Sequence, residues 1–188
     1  MDRMTLSTDK IRQADLNNLE IIRYPDPRLA EPSTAVDPID EALLLPLTHK
    51  MFDLMFLAKG VGLAAPQVGI NVRLFVASPA YEPDDRRVYI NPRIVSVDQV
   101  HEDEEGCLSV PGIQAKIRRY GQVTIEAADL KGKVFQQTGN GLLARIFQHE
   151  TDHLEGRLIV DRMGTLARLS YRRTIRELED KFLQRQAK

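Results

Sequence analysis

The 188-residue chain carries 26 Lys+Arg against 27 Asp+Glu and is 43% hydrophobic, the composition of one ordinary globular domain rather than a disordered or fibrous chain. A formal net charge of −1 argues against bulk nucleic-acid binding. One cysteine excludes an internal disulfide and fits a reducing compartment, and no run of 18 apolar residues is there to span a membrane.

Residues 1–18, with Asp2, Asp9 and Asp15, lack the apolar core of a signal peptide and read as a polar N-terminal extension. The apolar run 19–22 ends at Tyr24-Pro25-Asp26-Pro27, where the prolines stop regular pairing. Over 39–59, Leu44, Leu47, Met51, Leu54, Met55 and Ala58 recur at helical spacing. Pro46 is expected to kink that helix or mark its start, and Gly60 to close it. Strand-like runs follow at 72–77, 87–90, 94–97, 115–120, 123–127 and 133–137, with turns at Pro79, Asn91-Pro92, Pro111-Gly112 and Lys131-Gly132. The acidic run 102–105 reads as a solvated turn. Asn140-Gly141 opens a further helix, and a last one is expected over 165–184. No repeat or composition break marks a second domain. The expected fold class is α+β, mainly antiparallel strands around one central helix, with a C-terminal helix.

The central helix carries His149-Glu150-Thr151-Asp152-His153, a His-Glu-x-x-His motif. At about 100° per residue, His149 and His153 stand only about 40° apart around the axis, so both imidazoles can reach one metal ion. Glu150 lies about 60° to one side, placed to exchange a proton with a water without ligating the metal. A catalytic centre needs a third protein ligand and an open position. A metzincin would have a third histidine where Ile159 stands. A thermolysin-like enzyme would have a carboxylate near Arg172 and Arg173. The remaining candidate is Cys107, in Glu104-Glu105-Gly106-Cys107-Leu108-Ser109. The plainer alternative for a lone cysteine is a small buried hydrophobe. A papain-like nucleophile would need its own histidine base, whereas both candidate histidines here form one chelating pair.

Three stretches together, Glu105-Gly106-Cys107-Leu108-Ser109, His149-Glu150-x-Asp152-His153-Leu154-x-Gly156 and Gly60-Val61-Gly62-Leu63-Ala64-Ala65-Pro66-Gln67, resemble the three motifs of the peptide deformylases, in the family's order and spacing. Gly60 to Ala65 also matches a dinucleotide-binding fingerprint. That fingerprint requires a strand before it and a helix after it, but here a helix comes before, and Pro66 and Gly69 interrupt the residues after it.

The resemblance implies a metal-dependent amide hydrolase that removes the formyl group from the N-terminal formylmethionine of new polypeptides. Cys107, His149 and His153 would hold one divalent ion, ferrous iron by family expectation, with zinc, nickel or cobalt as alternatives the ligand set accepts. Glu150 would act as general base and then acid. The Gln67 side chain and the Leu108 N–H would donate to the oxyanion. Val61, Leu142 and Ile146 would line an apolar slot for methionine, and Gly62 would let the substrate backbone approach. Glu105 is a candidate to support a ligand from behind, paired with Arg119, and Asp152 to orient an imidazole or pair with a base. Residues 19–188 would then be a single catalytic domain, bacterial and cytoplasmic. Residues 165–188 carry seven basic against three acidic side chains. Arg168, Arg172 and Arg176 flank a stripe of Tyr171, Ile175, Leu178 and Phe182, which suggests docking on ribosomal RNA. A zinc peptidase and an idle protein with a structural metal are the competing readings; a structural site would have no use for Glu150.

Overall fold

A computed structural model describes residues 7–187. In chain order these form α1 (Ser7–Arg12), α2 (Glu41–Leu57), β1 (Gly62–Ala64), β2 (Leu74–Ala77), β3 (Arg87–Gly106), β4 (Gln114–Ala128), β5 (Val134–Asn140), α3 (Leu142–Leu154), α4 (Ile159–Arg162), α5 (Thr165–Ser170) and α6 (Arg172–Gln186). The strands make one antiparallel sheet in the order β1-β2-β3-β4-β5. Helix α3 packs against β1, β4 and β5, giving the expected α+β arrangement of antiparallel strands around a central helix.

Residues 1–6 of the expected polar extension lie outside the described residues. From Ser7 onward the extension is folded. Ile11 on α1 is 2% exposed and joins the core of Val36, Leu44, Leu47 and Met51, and the Ser7 hydroxyl accepts from the Asp37 N–H at 2.9 Å.

Helix α2 starts before Pro46. Asp40 caps it by accepting from the N–H groups of Ala42 and Leu43, at 3.0 and 3.3 Å. Pro46 lies inside, where it removes the donor that Ala42 would have met; both residues are exposed, so the affected carbonyl faces water. At the other end Lys59, not Gly60, takes the left-handed conformation, at φ 59°. The Gly60 N–H closes the helix on the Met55 carbonyl at 2.9 Å. Glycine at 60 leaves room for a neighbour: an added Cβ would lie 2.6 Å from Leu108 Cδ1 and displace that side chain.

Asn91-Pro92 and the acidic run are not turns. Both lie within β3, a single 20-residue strand. Asn91 adopts φ 51° at a shift of register, and its side-chain amide pairs with both backbone groups of Val36, at 2.7 and 2.9 Å. A bulge of this kind accommodates proline inside a ladder. Further on, Glu102 faces Arg118 and Glu104 faces Lys116 across the β3–β4 pair. These opposite charges stabilise a strand that its own composition would leave in solvent.

Helix α3 is anchored on both sides. Phe147 meets Tyr89 edge-on at 5.4 Å, and Tyr89 stacks on Phe75 at 4.6 Å. Gln148 reaches β4, accepting from the Tyr120 N–H at 2.9 Å and donating to the Tyr120 carbonyl at 2.8 Å. The expected C-terminal helix is interrupted at Tyr171, whose hydroxyl donates to the Gln114 carbonyl at 2.5 Å. Ile175 and Leu178 of α6 pack into the cluster of Val110, Ile113, Ile159 and Met163.

Candidate active site

The strand β3 ends at Gly106, and Cys107 begins a tight turn closed by the Val110 N–H on the Cys107 carbonyl at 3.0 Å. That turn sets the thiol over α3. Cys107 Sγ lies 3.3 Å from His153 Nε2, which lies 3.2 Å from His149 Nε2, and the three donor atoms are all within 4.8 Å of one another. His149 Nδ1 faces Glu105 Oε1 at 2.6 Å. A carboxylate there assigns the ring proton to Nδ1 and turns the Nε2 lone pair toward Cys107 and His153. Three electron-rich atoms converging in a buried site call for a cation between them, and one sulfur with two imidazoles suits a divalent ion of borderline softness. The residues fit a metal centre.

Behind the histidines runs a buried ionic network. Arg119, with its side chain 5% exposed, donates to Glu105 at 2.7 Å and to Asp152 at 2.5 Å. Arg145 reaches Glu105 at 2.9 Å, and Arg162 pairs with Asp152. Burial opposes the charge of Glu105, but hydrogen bonds from His149 and Arg119 outweigh it and hold the carboxyl well below its usual range. Burial also disfavours charge on His149, yet Cys107 and Glu105 raise its affinity for a proton well above the usual value, and the same electron-rich surroundings favour a metal cation in place of a proton at Nε2. His153 is pushed well below by burial and by the neighbouring charges of His149 and Arg119. The Glu105–Arg119 pairing suggested by the sequence is present. Asp152 pairs with arginines and makes no bond to an imidazole.

Glu150 is 3% exposed, and its Oε2 has no hydrogen-bond partner among the described residues. Burial pushes its carboxyl up to about 7, against the pull of His149. Its Oε1 fills the space beside Gly62, where an added Cβ would lie 2.4 Å away. A side chain at 62 would therefore push the Glu150 carboxylate out of its position. Gln67 lies on a 3-10 turn (Ala65–Val68) directly after β1. Its Oε1 accepts from the Ala64 N–H at 2.8 Å, which aims Nε2 at Ser109 Oγ, 3.2 Å away, and at Cys107 Sγ, 3.7 Å away.

A cavity of about 600 Å³ opens over this centre. Val61, Gly62, Gln67, Cys107, Leu108, Leu142, Ile146, His149 and Glu150 all line it. His153 does not; it is 1% exposed and stands behind the other two donors. Ile146 is buried, whereas Leu142 is 50% exposed and forms rim rather than floor. Ser109, Arg145, Gln148 and Arg162 were given no role from sequence, nor was Tyr171 as a cavity-lining residue. Two of them carried a signal: Ser109 stands in the Glu105-Gly106-Cys107-Leu108-Ser109 motif, and helical geometry puts Arg145 about 40° from His149.

A family profile described as polypeptide deformylase matches residues 18–169. Peptide deformylase of Acidobacterium capsulatum is 44% identical over 161 residues, covering 85% of this chain and 94% of that protein. The chloroplastic/mitochondrial peptide deformylase 1B of Arabidopsis thaliana is 45% identical over 167 residues, 87% of this chain and 61% of that longer protein. A solved structure of Arabidopsis thaliana peptide deformylase 1B with an inhibitor superposes with a TM-score of 0.86 at 43% identity, covering 90% of this chain and 95% of that one. The chain belongs to the polypeptide deformylase family. It is a metal-dependent amide hydrolase that removes N-terminal formyl groups from new polypeptides. The family match contains the three donor residues, Glu150, Gln67 and Leu108, but not Tyr171 of the cavity wall, nor α1 or α6. Among the described residues no helix is long and apolar enough to cross a membrane.

Proposed function

We propose that Cys107 Sγ, His149 Nε2 and His153 Nε2 hold one divalent cation, and that Glu150, Gln67 and Leu108 carry out deformylation beside it. The observation behind this reading is the Glu150 Oε2 atom: buried, unpartnered, and on the wall of the same cavity as two of the converging donors. A cation on these donors supplies Lewis acidity and an acidified water. Glu150 takes the proton of the attacking water and returns it to the departing amine. Gln67 Nε2, aimed by the Ala64 N–H, and the backbone N–H of Leu108 donate to the oxyanion. Val61, Leu142 and Ile146 enclose the unbranched apolar side chain of methionine. The peptide main chain extends along β1, the outer strand of the sheet beside Gly62.

The donor set accepts iron, cobalt, nickel or zinc, with affinity favouring zinc over iron; ferrous iron is the identity we assign by the family resemblance. We further assign residues 19–188 to one catalytic domain working in the bacterial cytoplasm. The exposed Arg172 and Arg176 on α6 support docking at the ribosome. Arg168 contributes less, because it donates to the Val160 carbonyl at 3.1 Å. The test is metal analysis of protein prepared without oxygen, with formyl-Met-Ala-Ser and unformylated Met-Ala-Ser-Ala assayed side by side. Release of formate from the first and no cleavage of the second is expected. Internal cleavage of the unformylated peptide would favour a zinc peptidase, and a metal-free active enzyme would overturn the assigned centre.

A further inference from the structure

A second groove, of about 350 Å³, lies against the first. Gly112 lines both, so the Pro111-Gly112 turn is the sill between them. On its far side the groove is walled by Arg23 and by the face of α6 that carries Glu177, Lys181 and Arg185 at successive four-residue steps. Among the described residues, Arg23, Lys181 and Arg185 form no ion pair, while the one lining carboxylate, Glu177, is already engaged by Arg173 at 3.0 Å. The Tyr24 hydroxyl donates to Glu179 at 2.9 Å, which leaves its ring as an apolar wall. The groove thus presents three uncompensated cations beside the cavity where the substrate's N-terminus is read.

Its distance from the chemistry has an upper bound. Five Cα steps of about 3.8 Å separate Cys107 from Gly112, at most about 19 Å of chain, and the turn at Cys107 shortens that path. An extended peptide rises about 3.3 Å per residue. A peptide bound by its formyl end and running toward Gly112 therefore reaches the sill no later than about its sixth residue, so its fourth to seventh residues fall at the sill and in the groove beyond it.

We propose that this groove is a downstream subsite for the nascent-peptide substrate and selects acidic side chains at its fourth to seventh residues. This rests on the deformylation reading and adds a determinant that tripeptide substrates never meet. The groove is open to water, so the attraction is screened by salt and acts on KM rather than on kcat.

The test uses the full chain with three substrates: formyl-Met-Ala-Ser, an octapeptide with Asp and Glu at residues four to seven, and its counterpart with Lys there. At low salt the acidic octapeptide should show a KM about three- to tenfold below that of the lysine counterpart, a gap that closes at high salt. The double variant Lys181→Glu/Arg185→Glu, at exposed positions, should reverse the preference while its turnover of formyl-Met-Ala-Ser stays unchanged and reports an intact fold. Equal KM values for the two octapeptides, or a preference that survives the reversal, would overturn the subsite. Competitive inhibition by an RNA oligonucleotide with no discrimination between octapeptides would also overturn it and assign the cations to phosphate. Failure of the unaltered enzyme on formyl-Met-Ala-Ser would instead overturn the deformylation reading, and the subsite with it.

Discussion

Glu150 combines two properties that a solvated glutamate lacks: burial that raises its proton affinity and a carboxylate oxygen with no competing donor. It makes no contribution to the three-atom donor set. Glu150→Gln should therefore retain bound metal while turnover of formyl-Met-Ala-Ser falls by about 10²–10⁴-fold, the usual share of a general acid–base. Metal content and kcat measured on the same preparation decide this, and loss of both would make Glu150 a ligand. Gln67 acts through its amide nitrogen, whose direction is fixed by the Ala64 N–H on the opposite oxygen. Gln67→Ala should keep the metal and lower the rate constant about 100–1,000-fold, the cost typical of removing one oxyanion donor. An unchanged rate constant would confine Gln67 to holding the turn after β1. At Gly62 the structure supplies a neighbour that the sequence could not. Freedom of approach was expected for the substrate, and the group a Cβ there would displace is the carboxylate of Glu150.

The helix α3 and the β3–β4 hairpin meet through charge buried between them. Glu105 from β3, Arg119 from β4 and Asp152 from α3 form a chain that reaches His149 at one end and Arg162 at the other. Arg119→Met would leave two buried carboxylates short of a partner, and breaking such a pair costs about 3–5 kcal/mol. Denaturant unfolding should show that loss, whereas Arg173→Met, from a pair whose arginine side chain is 90% exposed, should leave the midpoint in place. Equal small effects would mean that the network orients His149 without stabilising the fold. The metal-binding pattern was legible because it is local: two histidines at helical spacing need no tertiary information. The Asn91 bulge and the acidic half of β3 were not, because each depends on a partner distant in sequence. Asn91 is completed by Val36, and Glu102 and Glu104 by Arg118 and Lys116. Read singly, those residues carry turn and solvent signals; only the pairing makes them strand.

The ends of the chain close the molecule around a site that the middle supplies. The family match stops at residue 169, yet α6 inserts Ile175 and Leu178, 8% and 9% exposed, against Val110 and Ile113 of the turn after Cys107. Burying two such side chains contributes about 3–6 kcal/mol, out of a net stability on the order of 5–15 kcal/mol for a domain. Tyr171 adds a hydrogen bond to Gln114 and lines the cavity itself. Truncation after Met163 is therefore expected to lower the unfolding midpoint sharply and to reduce turnover of formyl-Met-Ala-Ser, because the Cys107 turn loses its backing. It cannot serve as a clean test of ribosome docking. The charge reversal Arg172→Glu/Arg176→Glu can, since both side chains are exposed and neither forms an ion pair among the described residues. That variant should keep its midpoint and its tripeptide turnover while co-sedimentation with ribosomes at low salt weakens. If the truncated chain unfolds at the same denaturant concentration as the full one, α6 is an appendage and its packing stabilises nothing. If the reversed variant sediments with ribosomes as before, the basic face has no part in docking.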